Sequence, residues 1–180
     1  NEVKVGQALQ PEAAFGLATN GRAYLVANRI QKGQGRAKFM HEVGAHLGLE
    51  GLLPSSLYKR LTNQLKQWAE SGANTDEAML AAQALQRVQA AQTPEADRDA
   101  ELLAYFVEEA VQAGVNPTAT QGNSPLQQWF RALWAAFKVA LRKLGMKPET
   151  MTAQDVVNLA FGAARLELAG ALWTLDSRDE

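Results

Sequence analysis

Phe39-Met40-His41-Glu42-Val43-Gly44-Ala45-His46-Leu47-Gly48 holds both histidines of this 180-residue chain. Two imidazoles with a carboxylate directly after the first are the ingredients of a metal site that carries its own general base. The spacing is unusual. In a regular α-helix, positions five apart lie about 140° apart around the axis, whereas positions four apart differ by only about 40°. A mononuclear site between His41 and His46 therefore requires a local distortion. A π-bulge adds one residue to a turn, and Gly44 is the position most permissive of it. If the helix stays regular, Glu42 and His46, four apart, become the natural pair.

Upstream of this stretch, Thr19-Asn20-Gly21 signals a turn, and Arg22 to Ile30, with its aromatic and β-branched residues, reads as a strand. Residues near Phe15 to Ala18 are its hairpin partner. Gln31 to Gly35 break the strand, and a helix runs from Arg36 to about Leu49, closed by Gly51 and Pro54. Downstream the periodicity is helical throughout. Ser55 or Ser56 caps a helix running to about Glu70, the next begins near Asn74 or Thr75, and a third covers about Glu95 to Ala113 with Gly114 as its cap. Residues 115–123 are a polar connector. Ser124-Pro125 begins a helix whose stripe is Leu126, Trp129, Phe130, Leu133, Trp134, Phe137, Leu141 and Leu144. Such a stripe is expected to be core rather than a membrane-surface or partner-binding face. A last helix starts at Thr152, with Asp155 three residues on as a capping-box analogue, and runs to about Trp173.

Composition narrows the chemistry. With 47% hydrophobic and 21% charged residues the chain can bury a core. Cysteine is absent, so disulfides and thiolate metal sites are excluded and His, Asp and Glu remain as strong ligands. The formal charge is −1, so no global field draws nucleic acid or an anionic membrane, and the four cations Arg131, Lys138, Arg142 and Lys143 are few and local. No apolar run approaches the roughly 20 residues of a membrane span. Asn1-Glu2-Val3-Lys4 does not form a signal peptide, and the chain reads as a piece cut from a longer polypeptide.

A catalytic zinc needs a third protein ligand. The helix bearing Asp99-Ala100-Glu101-Leu102-Leu103-Ala104-Tyr105 places several acids beside an apolar face. Glu101 is the preferred ligand, with Glu108 and Asp97 as competitors. Tyr105, Tyr24 and Tyr58 are candidate donors to an oxyanion.

The order strand, His41-Glu42-Val43-Gly44-Ala45-His46 helix, then Ala100-Glu101-Leu102-Leu103-Ala104-Tyr105 resembles zincin metallopeptidases of the gluzincin type. It is most similar to zincin-like domains in large polyvalent proteins of phages and conjugative elements. The resemblance covers about residues 20–110. It implies an α+β, mostly α fold, with a small sheet plus the His-Glu-x-x-x-His helix in residues 1–114; the last 60 or so residues lie beyond it, and their own pattern gives the connector 115–123 and a C-terminal helical extension, 124–180, expected to pack on that domain. It further implies zinc held by His41, His46 and Glu101, with Glu42 as general base, hydrolysing a peptide bond of a protein substrate. Zinc would lower the pKa of its bound water to about 7, and Glu42 would take the proton. The location implied is cytoplasmic, after delivery into a host cell with phage or plasmid DNA. Nucleic acid is not an expected partner. The alternative is a non-catalytic protein-interaction module that keeps the zincin-like fold and binds a partner through the C-terminal helices.

Overall fold

A computed structural model describes residues 15–17, 23–25, 35–119 and 121–176; the side chains of Glu42 and His46 and those of residues 165–176 fall outside that description. Six helices make the body: α1 (Gly35–Leu52), α2 (Ser55–Glu70), α3 (Asp76–Ala90), α4 (Arg98–Gln112), α5 (Pro125–Lys143) and α6 (Ala153–Asp176). Short 3-10 turns at Glu95–Asp97 and Pro148–Thr150 lead into α4 and α6.

This architecture corrects the α+β expectation. Among the described residues no sheet forms a layer of the core. The residues that pair are β1 (Phe15–Leu17) and β2 (Ala23–Leu25), antiparallel with Gly16 opposite Tyr24. A two-stranded ribbon of this length is too small to carry a hydrophobic face of its own. The remainder of the expected strand, residues 26–30, lies outside the described residues. The motif helix α1 rests chiefly on another helix, α6.

The α1–α6 crossing explains Gly44. A Cβ built on it would lie 2.1 Å from the Leu159 carbonyl oxygen and 2.9 Å from the Ala163 nitrogen, both backbone atoms. Only a residue without a side chain allows this approach. Opposite it, α6 presents Leu159, Ala160, Ala163 and Ala164, all fully buried. Small residues on α6 let the two backbones close, and Met40 and Val43 fill the flanks of the contact.

Helix α5 supplies the bulk of the remaining core. Leu126, Trp129, Phe130, Leu133, Trp134, Phe137 and Leu141 are buried, as the stripe predicts. Trp129 meets Phe106 of α4 edge-on at 4.8 Å and Phe130 at 5.0 Å, and Trp68 of α2 approaches Phe106 at 6.0 Å. The Trp129 indole N–H donates to the Leu61 carbonyl at 3.2 Å, so the one polar atom of the ring is satisfied inside the core. One apolar cluster runs continuously from Met40 in α1 to Ala164 in α6.

Several helix ends follow the local signals, but α2 does not: neither Ser55 nor Ser56 caps it, because the helix already begins at Ser55 and its N-cap position is Pro54, which has no side-chain acceptor. Ser124 Oγ accepts from the Gln127 N–H at 3.2 Å while Gln127 Oε1 accepts from the Ser124 N–H at 3.1 Å, a complete capping box with Pro125 in the first turn. Gly114 ends α4 at φ 90°. At the end of α3 the left-handed residue is instead Gln92, at φ 53°, with its N–H on the Gln89 carbonyl. A left-handed non-glycine residue costs about 1–2 kcal/mol, part of which glycine would lose again through unfolded-chain entropy. Gln92→Gly is therefore expected to raise stability by about 0.5 kcal/mol, read as a higher thermal midpoint.

Candidate functional site

Helix α1 keeps α-helical geometry across the motif. Its only non-helical residue is Gly48, at φ 62° and ψ 174°, two positions after His46. A break there cannot rotate His46 relative to His41. The expected π-bulge at Gly44 is thus corrected: Gly44 is spent on the close approach to α6, in unbroken helix. By register, the positions of His41 and His46 remain about 140° apart. Because Met40, Val43 and Gly44 are buried, the two histidine positions fall on opposite flanks of the buried face. Glu42 and His46 positions lie one turn apart on the same side. His41 itself is half-buried.

The proposed third ligand is engaged elsewhere. Glu101, half-buried on the first turn of α4, accepts a hydrogen bond of 2.7 Å from the hydroxyl of Thr93, a residue 5% exposed. Thr93 is fixed in turn by Arg98, whose Nε donates to the Thr93 carbonyl at 3.1 Å. This contact ties the turn before α4 to the helix itself. Asp97 sits buried at the α4 start, in the 3-10 turn.

Glu108 and Glu109 are held by Arg87 of α3. Its NH1 lies 2.5 Å from Glu108 Oε2 and 2.8 Å from Glu109 Oε1. The Glu109 contact has hydrogen-bond geometry; the shorter Glu108 contact is an ion pair without it, leaving Glu108 Oε2 buried on charge attraction alone. Burial works against the Arg87 charge, but the close contacts with the two carboxylates and their charges outweigh it and raise the guanidinium above its usual range. Arg87 also stacks over Tyr105 at 4.2 Å, and Tyr105 meets Phe161 of α6 edge-on at 5.3 Å. Tyr105 therefore joins α3, α4 and α6. The Tyr24 side chain is outside the described residues; Tyr58 lines a groove instead of the motif helix.

That groove was not foreseen. It measures about 510 Å³ between α2, α3 and the start of α4, and Tyr58, Lys66, Glu70, Arg98, Asp99 and Leu102 are among its walls. Lys66 and Asp99 form an ion pair across it at 2.6 Å. A neighbouring groove of about 410 Å³ shares Arg98 and includes Gln92 and Thr93. Among the described residues, none of α1 lines either groove.

A second unforeseen feature is the clasp between the beginnings of α1 and α6. Arg36 Nε donates to Asp155 Oδ1 at 2.8 Å and to Oδ2 at 2.9 Å, while NH2 donates to Oδ2 at 2.7 Å and to the Thr150 carbonyl at 2.8 Å. Asp155 also accepts from the Thr152 N–H at 2.7 Å, and Thr152 Oγ1 accepts from the Asp155 N–H at 3.2 Å. The Thr152 and Asp155 pattern announces the cap; nothing in it announces a guanidinium 119 positions earlier. Burial pushes the Asp155 carboxyl up, yet Arg36 and the Thr152 donors outweigh this and hold it below the usual carboxylate range.

The fit to a His2Glu zinc site is therefore poor. The helix is regular where it needed an extra residue, and Glu101 and Glu108 are already engaged by Thr93 and Arg87. Among the described residues no group of three or more His, Asp or Glu side chains converges to hold a metal ion. No helix among them is long and apolar enough to cross a membrane. Compared with family models, curated proteins and solved structures, the chain matches none.

Proposed function

We propose that this chain is a non-catalytic helical interaction module, in which the His41 to His46 stretch is framework. The observation that carries this reading is Gly44 at the α1–α6 crossing, 2.1 Å from the Leu159 carbonyl in its hypothetical Cβ contact. It makes the centre of the motif a packing element and fixes the histidine positions on opposite flanks of a regular helix. The acids that a metal site would recruit instead join α3 to α4 and the turn at Thr93 to α4.

A second reading keeps zinc-dependent peptide hydrolysis, with His41, His46 and Glu101 as ligands and Glu42 as base. What favours it is that the positions of Glu42 and His46 lie one turn apart on one side of α1, with Glu42 directly following His41 in the sequence. One titration separates the two. A ligand at 100 times its dissociation constant stabilises a folded protein by about 2.7 kcal/mol. Urea unfolding with and without zinc is expected to give the same midpoint, and Glu42→Gln and His46→Ala to unfold as the parent does. A zinc-dependent gain of about 2.7 kcal/mol that His46→Ala removes would reverse the choice in favour of the peptidase.

A further inference from the structure

Two contacts bind α1 and α6 into one unit. Arg36, at the beginning of α1, is held by Asp155 in the first turn of α6 and by the Thr150 carbonyl just before it. About two turns on, Gly44 meets the Leu159 carbonyl and the Ala163 nitrogen, so the helices run parallel from the clasp to the crossing. They touch each other more extensively than either touches any other helix. A contact between backbones has no rotamers through which to loosen.

The other side of α6 meets α4 through side chains. By register, Val157 and Phe161 lie about 160° around the axis from Leu159. Val157 is 2% exposed, and Phe161 lies edge-on to Tyr105 at 5.3 Å. Helix α6 is thus a middle layer, with α1 on one side of it and α4 on the other. The unit joins the body formed by α2 to α5 through two connections. One is residues 144–152, which include Gly145 at φ 75°. The other is Gly48, whose φ of 62° and ψ of 174° fall in a region that essentially only glycine occupies. It interrupts α1 just after the residues that pack on α6. Leu49, Leu52 and Leu53 beyond it are buried, and the chain passes directly into α2.

We infer that α1 and α6 form a lid that swings off α4 as one unit, pivoting at Gly48 and within residues 144–152, and uncovers the Tyr105 side of α4. The seam is set by the kind of contact on each side of α6. Separating α6 from α1 breaks the Arg36 clasp and a backbone crossing, whereas separating it from α4 parts apolar and aromatic side chains and breaks no helix hydrogen bond. Folded proteins open below the global limit along such seams. Tyr105 keeps its place when the lid is off, because Arg87 of α3 holds its ring from the body side at 4.2 Å. The motion follows from the seam and the pivots, and it does not rest on the reading of the chain as an interaction module.

The test uses the absence of native cysteine: a single introduced thiol in the full chain reports opening through its rate of labelling by a disulfide reagent. Val157→Cys places the thiol on the α4 seam. Met40→Cys, at a residue 2% exposed and one turn before Gly44 on the same side of α1, places it at the α1–α6 contact. Each rate is compared, across a urea series, with the global unfolding of the same variant. Val157→Cys is expected to label about tenfold or more faster than its global unfolding allows, with a weaker urea dependence because less surface is exposed. Met40→Cys should label only through global unfolding. Ala164→Cys, two turns beyond Val157 on the same side of α6, repeats the seam measurement should Val157→Cys not fold. Gly48→Ala should raise labelling of the seam thiol about tenfold, since the strain of a left-handed alanine is relieved on opening. The inference is overturned if the seam thiol labels only through global unfolding, if Met40→Cys shows the same excess, which would mean that α1 parts from α6, or if Gly48→Ala leaves the seam rate unchanged.

Discussion

Gly44→Ala is expected to destabilise the protein by about 3 kcal/mol, near the upper end of what overpacking a core usually costs. In an exposed helix interior the same change would stabilise by about 1 kcal/mol, because alanine is the better helix former. The sign is reversed by contact. The new methyl would sit 2.1 Å from the Leu159 carbonyl oxygen and 2.9 Å from the Leu159 carbonyl carbon and the Ala163 nitrogen. All three are backbone atoms inside α6, so no rotamer change relieves the clash and the helices must separate. Separation would uncover Met40, Val43, Ala160 and Ala163, which are at most 2% exposed. Urea unfolding measures the effect as a lower midpoint at unchanged slope. A gain in stability would show that α1 and α6 are not in contact at this point, and would restore Gly44 as a site of helix distortion.

Asp155→Asn is expected to cost about 2–3 kcal/mol, less than the full 3–5 of a broken buried pair because Arg36 can be rehydrated. The Asp155 side chain is 3% exposed and the Arg36 side chain 56% exposed, so the pair is asymmetric. Arg36→Ala should cost at least as much, since it leaves a buried carboxylate with only the Thr152 donors. The double variant should show strong coupling between the two changes. The pH dependence follows from the direction of the shift. Asp155 is held below its ordinary range in the folded chain. Its stabilising contribution is thus complete above the unfolded value of about 3.9 and is lost as pH falls through the lower folded value. Stability of the parent measured from pH 6 downward should include a fall below about pH 4 that is smaller in Asp155→Asn. An identical acid profile for the two proteins would mean that another carboxylate governs acid unfolding.

The helices downstream of Pro54 were legible because their information is local. The α5 stripe repeats at three and four residues, Ser124-Pro125 caps it, Gly114 closes α4, and Thr152 with Asp155 opens α6. Each signal acts within one turn, and each is realised at the predicted residue. Arg22 to Ile30 show the opposite case. Among the described residues they pair over Ala23–Leu25 with Phe15–Leu17, and whether such a ribbon becomes a layer of the core depends on neighbours that its own residues do not specify. The candidate site was not legible from the sequence for the same reason. His41, Glu42 and His46 are adjacent in sequence, but whether they converge depends on helix register and on what the opposite element does with Gly44.

Composition and periodicity by themselves determined a cysteine-free, predominantly helical chain with a heavy aromatic ridge and the positions of most helix ends. These follow from propensity, capping and hydrophobic spacing, which act over a few residues. The tertiary structure alone decided the partners. Arg36 finds Asp155 across 119 positions, Thr93 takes the carboxylate of Glu101, Arg87 takes those of Glu108 and Glu109, and α6 closes on Gly44. Long-range contacts of this kind are set by the shape of the whole core. A motif can name candidate ligands, but only the packing of the elements that carry them determines whether they meet.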